Sequence, residues 1–188
     1  MKDKIRKDLI QIRRNIPKKE VLGKSKKIEK NLFELDGFKN AESILFYISY
    51  GNEVFTHDMI KGCLKMGKNV IVPISDVESK KLTLSRLDDW KDLEKGAYNI
   101  LEPREETIQE VSVFDMDLVI VPGVGFDEHG CRIGHGEGYY DCLLRDSTNA
   151  IHIGLAFEKQ IVDEIPIEEH DIPVDIIITE ERLIDCRV

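Results

Sequence analysis

Ser43-Ile44-Leu45-Phe46-Tyr47-Ile48-Ser49, then residues 56–66, then Val70-Ile71-Val72-Pro73-Ile74, is the stretch that decides how this chain folds. The first and last segments are short apolar runs rich in β-branched and aromatic residues, as in strands buried on both faces. Residues 56–66 read as a helix, with Thr56 as N-cap and Gly67 as stop. Strand, helix, strand in that order implies a right-handed parallel crossover. Working outward, Leu82, Leu84 and residues 85–87 suggest a further strand, residues 118–122 (Leu-Val-Ile-Val-Pro) resume the sheet, and residues 152–157 and 176–179 supply two more strands. At the other end Ile5, Leu9, Ile12 and Ile16 recur at helical spacing up to Pro17, which predicts an amphipathic helix over residues 2–15. A second helical pattern runs over residues 18–35 and closes near Gly37. The passage through Trp90, Gly96 and Pro103 gives no periodicity to assign. The expected architecture is α/β: an open, mostly parallel sheet with helices on both faces, in one three-layer α/β/α domain spanning residues 1–188.

Between the strand at 118–122 and a helix beginning near Tyr140 lies Arg132-Ile133-Gly134-His135-Gly136-Glu137-Gly138-Tyr139-Tyr140-Asp141. Three glycines at alternate positions let consecutive N–H groups converge on an anion, and the following helix adds its positive end. The spacing fits neither the dinucleotide fingerprint nor the P-loop, so by itself a flexible turn explains it equally well. Arg132 is suited to clamping phosphate, because a guanidinium holds two oxygens at once and stays charged. Asp141 offers a hard oxygen ligand for Mg²⁺; in a first helical turn it could equally be favoured by the helix dipole or pair with Arg145.

Lys2 and Arg6 are four residues apart and share a helix face, which Arg13 extends seven residues on. Net charge is −9, yet the first 30 residues hold 12 Lys or Arg against 4 Asp or Glu. A basic arm on an acidic body argues against general nucleic-acid binding and suits a local polyanion such as a nucleoside triphosphate; a solvated helix face would look the same. No apolar run nears the ~20 residues of a membrane span, and no signal-peptide pattern opens the chain, so a cytoplasmic protein without membrane partners is expected. Cys63, Cys131, Cys142 and Cys186 lack metal-site spacing and are expected to be reduced thiols, Cys131 beside the loop being a candidate for reactivity. His57, His129, His152 and His170 likewise show no metal-ligand spacing.

Several of these segments together resemble the 5-formyltetrahydrofolate cyclo-ligase (5,10-methenyltetrahydrofolate synthetase) family. The resemblance rests on Val121-Pro122-Gly123-Val124-Gly125-Phe126-Asp127, Gly130 and the run Arg132 to Asp141. It extends to Lys2-x-x-x-Arg6, Glu53-Val54-Phe55-Thr56, Tyr98-Asn99-Ile100-Leu101-Glu102-Pro103, and His170-Asp171 with Val174-Asp175, in family order across nearly the whole chain. It implies the fold shared with ribose-phosphate isomerase, glucosamine-phosphate deaminase and CoA transferases. It also implies an enzyme that uses ATP and Mg²⁺ to convert 5-formyltetrahydrofolate into 5,10-methenyltetrahydrofolate, expected to act as a monomer.

By that resemblance Arg132 and Glu53 serve catalysis. Lys2, Arg6, Arg132, Ile133, Gly134, His135, Gly136, Glu137, Gly138, Tyr139 and Tyr140 hold the nucleotide. Ile48, Glu53, Tyr98, His135, Gly136, Glu137, Gly138 and Tyr139 meet the folate, with Tyr98 stacking on its ring system, and Asp141 and Asp171 bear the metal. Family loops commonly carry lysine or glycine where Glu137 stands and often arginine where Cys142 stands. A non-catalytic paralogue that binds nucleotide or folate would carry similar motifs. A sugar-phosphate isomerase or CoA transferase on the same fold would need an acid/base or nucleophilic carboxylate motif of its own, which the sequence does not display.

Overall fold

The structure is a computed structural model; it describes residues 1–188 apart from Val77, Ser79, Lys80, Glu137, Val188 and the side chain of Ala97. Helices α1 (Lys2–Arg14), α2 (Lys18–Glu34) and α3 (Asp36–Asn40) precede strand β1 (Ser43–Leu45), and α4 (His57–Lys65) leads to β2 (Asn69–Asp76) and β3 (Lys81–Leu87). A small hairpin, β4 (Leu93–Lys95) and β5 (Leu101–Pro103), precedes β6 (Leu118–Val121), and a second pair follows, β7 (Gly125–Asp127) and β8 (Arg132–Ile133). Helix α5 (Tyr139–Asp146), β9 (Ile151–Leu155), β10 (Ile161–Val162), β11 (Ile176–Ile178) and β12 (Leu183–Asp185) complete the order.

The main sheet runs β12-β11-β9-β6-β1-β2-β3. Its five inner strands are parallel, and β3 and β12 close the two edges antiparallel. Period-two alternation divides the strand residues between two cores. Ile44, Val70, Leu118, Ile120 and Ile153 pack with Ile28 and Leu32 of α2 and Met59 and Ile60 of α4. Leu45, Ile71, Val119, Val121 and Ile177 turn to the opposite face, against Leu143 and Leu144 of α5. Helices therefore cover both faces, as a sheet whose strands read as unbroken apolar runs requires.

A third, smaller core seats α1. Leu9 packs with Val124, Cys131, Ile133 and Ile165 beside the three-stranded sheet β10-β7-β8. Asp127 lies at its centre, almost fully buried, and accepts from the backbone N–H groups of His129, Cys131 and Ile165 at 2.9 to 3.0 Å. A buried carboxylate is tolerated when it is so completely hydrogen-bonded.

One expectation changes and one is refined. The glycine run does not follow the 118–122 strand directly, because β7 and β8 pair between them, and strands of two or three residues leave no periodic signal. Thr56 stands at the N-cap of α4 as expected, but its side chain makes no cap hydrogen bond. Its hydroxyl donates instead to Tyr47 O at 2.7 Å and accepts from Ser49 N at 3.0 Å, so it serves the loop before the helix rather than the helix.

His152, on β9, contacts Ser147 Oγ at 2.9 Å and Ser147 O at 3.1 Å. Burial lowers its pKa, against opposing pulls from the Ser147 carbonyl and Asp175. The unfolded chain then takes up the proton more readily, so the contribution of His152 is full above the unfolded value of about 6.5 and lost as pH falls through the lower folded value. His152→Asn should flatten the slope of unfolding free energy against pH in that window, read from urea titrations. Equal slopes in variant and wild type would remove His152 from the account.

Candidate functional site

The C-terminal ends of the parallel strands open onto a cleft of about 880 Å³, where an open α/β sheet conventionally binds ligand. Helix α1 forms one wall. Lys2 pairs with Asp171 at 2.5 Å, and Arg6 Nε donates to Gly134 O at 2.9 Å while its guanidinium also meets Asp3. Near the last turn Arg13 Nη1 lies 3.4 Å from Gly123 O and 3.7 Å from Glu53 Oε1, and Arg13 Nη2 lies 3.4 Å from His135 Nε2. One helix thus touches the glycine loop, the Glu53 loop and the Asp171 turn.

The Glu53 loop leaves the end of the β1 segment and is closed by reciprocal hydrogen bonds. Ser49 N donates to Thr56 Oγ1 and Thr56 N to Ser49 Oγ, both at 3.0 Å. Inside it Glu53, almost fully buried, accepts from Tyr50 N at 3.1 Å. Asn52 Nδ2 reaches back to the carbonyls of Arg13, Arg14 and Ile16 at 3.0 to 3.2 Å, satisfying acceptors at the helix end.

On the glycine loop the backbone needs what glycine supplies. Gly136 and Gly138 hold φ of 106° and 75°, where a Cβ is strained, and Gly138 is the N-cap of α5. Arg132 precedes the loop, buried, and pairs with Asp141 in the first turn of α5 at 2.5 Å. Among the described residues, its Nε and the Tyr140 hydroxyl are buried without a hydrogen-bond partner. Since nearly all buried polar atoms find partners, two orphans on cleft-lining residues fit a ligand that supplies acceptor oxygens. Burial also drives the Tyr140 phenol well above its ordinary value, so it remains a donor.

Lys2, Arg6, Ile48, Glu53, Tyr98, Arg132, Gly134, His135, Gly136, Gly138, Tyr139, Tyr140, Asp141 and Asp171, drawn from five separate segments, all line this cleft. Ile133 does not. Alternation along β8 sends Arg132 to the cleft and the Ile133 side chain into the core under α1. Glu137 lies outside the described residues. Tyr98 and its neighbour Asn99 hold φ of 56° and 59°, left-handed geometry that is costly for a tyrosine and sits at the tip of the β4–β5 hairpin on the cleft rim. Asp141 pairs with Arg132 rather than Arg145, whose Nη2 reaches His170 O at 3.5 Å. For Asp171, burial raises the pKa, but the Lys2 ammonium and Glu168 N outweigh it and leave the carboxyl below its ordinary value. Cys131 is not a reactive thiol: burial, with the Asp127 carboxylate, pushes it up to about 11. Arg13 and Asn52 hold the site together and carry no motif of their own; the spacing of Arg13 from Arg6 was the one available signal.

The pattern of the 5-formyltetrahydrofolate cyclo-ligase family matches residues 1–180. The chain belongs to that family. A Mus musculus protein named 5-formyltetrahydrofolate cyclo-ligase is 32% identical over 187 residues, covering 94% of this chain and 92% of its own. The solved structure of Aquifex aeolicus 5,10-methenyltetrahydrofolate synthetase superposes with a TM-score of 0.88 at 34% identity, over 100% of this chain and 93% of that one. A Mycoplasma pneumoniae synthetase, at 21% identity and a TM-score of 0.76, shares the fold. This cyclo-ligase family member therefore has the α/β architecture of its solved relatives, with the cleft formed by its most recognisable motifs.

Thr56→Val keeps the shape of the side chain and removes both hydroxyl contacts that close the Glu53 loop. Leaving Ser49 N and Tyr47 O unpaired should cost about 1–3 kcal/mol, measured by urea unfolding. A loss under about 0.3 kcal/mol would show that both groups find other partners.

Proposed function

We propose that this protein uses ATP and Mg²⁺ to convert 5-formyltetrahydrofolate into 5,10-methenyltetrahydrofolate, releasing ADP and phosphate. The observation that carries this reading is the convergence, in one cleft, of a cationic helix face, a glycine loop before a helix N-terminus and a buried carboxylate on a strand-end loop. Membership of the cyclo-ligase family supports it. A formamide oxygen is a poor leaving group. Transfer of the γ-phosphoryl group of ATP to that oxygen makes it a phosphate ester; the second folate nitrogen then attacks the formyl carbon, and phosphate departs with the oxygen. Such chemistry asks the protein for alignment and charge neutralisation rather than a nucleophile.

In this reading Arg132, Lys2, Arg6 and the N–H groups of the glycine loop take the phosphates, with Tyr140 and its orphan hydroxyl beside them. Glu53 and Ile48 receive the pterin, whose amino-pyrimidinone edge offers donors to a carboxylate; Tyr98 stacks on the ring, Tyr139 adds a second aromatic face and His135 touches ligand from the loop. Asp141 and Asp171 would hold Mg²⁺, which supplies a positive charge against the triphosphate. The donor set fits an ion carried by a nucleotide, since such Mg²⁺ takes one or two carboxylates and Asp141 and Asp171 both line the cleft. No helix among the described residues is long and apolar enough to cross a membrane. A cytoplasmic monomer completes the proposal.

Purified protein should form the near-ultraviolet-absorbing methenyl product from 5-formyltetrahydrofolate only with ATP and Mg²⁺ together. Product without ATP would refute the mechanism, and binding without turnover would make the protein a non-catalytic paralogue. Asp141→Asn separates a metal role from simple support of Arg132. Turnover should fall by at least about tenfold and the Mg²⁺ concentration for half activity should rise, with Tm shifted by no more than about 4 °C. An unchanged Mg²⁺ requirement with a larger drop in Tm would assign Asp141 to holding Arg132 alone.

A further inference from the structure

We propose that Arg13 is a positioning residue for folate recognition: it fixes the orientation of the Glu53 carboxylate from behind, without touching either substrate. The inference rests on the assignment of Glu53 to folate made above.

Three observations carry it. Arg13 is only 7% exposed, whereas Lys4, Lys7 and Arg14 on the same helix are exposed, and arginine is almost never so buried unless it is paired. Its partners converge on the Glu53 side of the site: Glu53 Oε1 at 3.7 Å, His135 Nε2 at 3.4 Å and Gly123 O at 3.4 Å. Glu53, His135 and Gly123 line the cleft while Arg13 lies behind them.

The chemistry follows from donor and acceptor counts. A carboxylate offers about four lone-pair directions. Tyr50 N takes one on Oε2 and Arg13 faces Oε1, which leaves the others for the donors of a pterin edge. His135 Nε2 lies 3.4 Å from Arg13 Nη2 and 3.8 Å from Glu53 Oε1, so the three side chains form one cluster around the guanidinium. One planar cation thereby sets the orientation of both side chains. Asn52 reinforces the arrangement, because its three hydrogen bonds to the end of α1 tie the residue next to Glu53 to the stretch of chain that carries Arg13. A lysine supplies the charge without the fork and should replace Arg13 only in part.

The test uses full-length Arg13→Met, Arg13→Lys, Glu53→Gln and the double variant Arg13→Met/Glu53→Gln. It measures the Kd of 5-formyltetrahydrofolate by calorimetry and the separate KM values of folate and ATP. Arg13→Met should weaken folate binding by at least about tenfold while the KM for ATP changes less than about threefold, with Arg13→Lys recovering part of the loss. In the double variant folate binding should be within about twofold of Glu53→Gln alone, since the arginine has nothing left to orient. The proposal is overturned if folded Arg13→Met binds folate within about twofold of wild type, if the folate and ATP constants rise in equal proportion, or if the two single losses multiply in the double variant. Should Arg13→Met not fold, Arg13→Lys and its double with Glu53→Gln apply the same criteria. Wild-type protein that fails to bind 5-formyltetrahydrofolate would refute the functional reading itself, whereas tight wild-type binding with indifferent Arg13 variants refutes only this inference.

Discussion

Three cations of α1, Lys2, Arg6 and Arg13, turn toward the site because each meets an acceptor from a different part of the chain. Lys2 finds Asp171, Arg6 finds the carbonyl of Gly134, and Arg13 finds Glu53 and Gly123 O. These partners lie more than a hundred residues from the helix, except for Glu53. Leu9, buried among Val124, Cys131, Ile133 and Ile165, anchors the same helix by apolar contact. The helix therefore has one register on the fold: turning it would expose Leu9 and strand Arg13 without its carboxylate. A buried charge that loses its partner costs roughly 3–5 kcal/mol, more than the ~1 kcal/mol of a surface pair, so the Arg13 end holds that register most firmly.

The pairs in the cleft also anticipate exchange. Lys2 with Asp171 and Arg132 with Asp141 each join a cation suited to phosphate to a carboxylate suited to Mg²⁺. Until ligand arrives, neither charge is left uncompensated in a partly buried setting. Binding of a metal nucleotide would swap partners rather than expose bare charges, so the gain is a difference between two paired states and is modest per contact. Specific fit then depends on groups that have no internal partner among the described residues, the Arg132 Nε and the Tyr140 hydroxyl. A ligand that satisfies those two atoms removes a cost already present in the fold.

The inner sheet was readable because its strands carry apolar runs on both faces; Leu118 to Val121 and Ile176 to Ile178 are buried at every position. The hairpins β4–β5 and β7–β8 were not, since three residues cannot show a period and their pairing depends on the rest of the fold. Thr56 was legible as the N-cap of α4, but the use of its hydroxyl was not, since the carbonyl of Tyr47 and the amide of Ser49 take it in the loop before the helix. The members of the candidate site were legible mainly through family resemblance. Glu53 as an isolated loop glutamate, or Lys2 as a helix-surface lysine, carries no signal until the fold brings them to one cleft. Arg13 was visible only as a continuation of a row, because its burial is a tertiary fact.

The inward-facing cations of α1 set much of the electrostatics of the cleft. A cation within about 8 Å of an anion, at an effective dielectric near 20, favours its binding by about 2 kcal/mol, or roughly 30-fold in affinity. The Lys and Arg side chains that line the cleft are Arg132 and, from α1, Lys2 and Arg6, all mostly shielded from water. Shielding matters because a solvated charge is screened over about 8–10 Å at physiological salt, whereas a partly buried one is not. On this argument the basic character of the first thirty residues is needed at the two positions that point inward, while Lys4, Lys7 and Arg14, which stand exposed on the same helix, leave phosphate affinity largely to them.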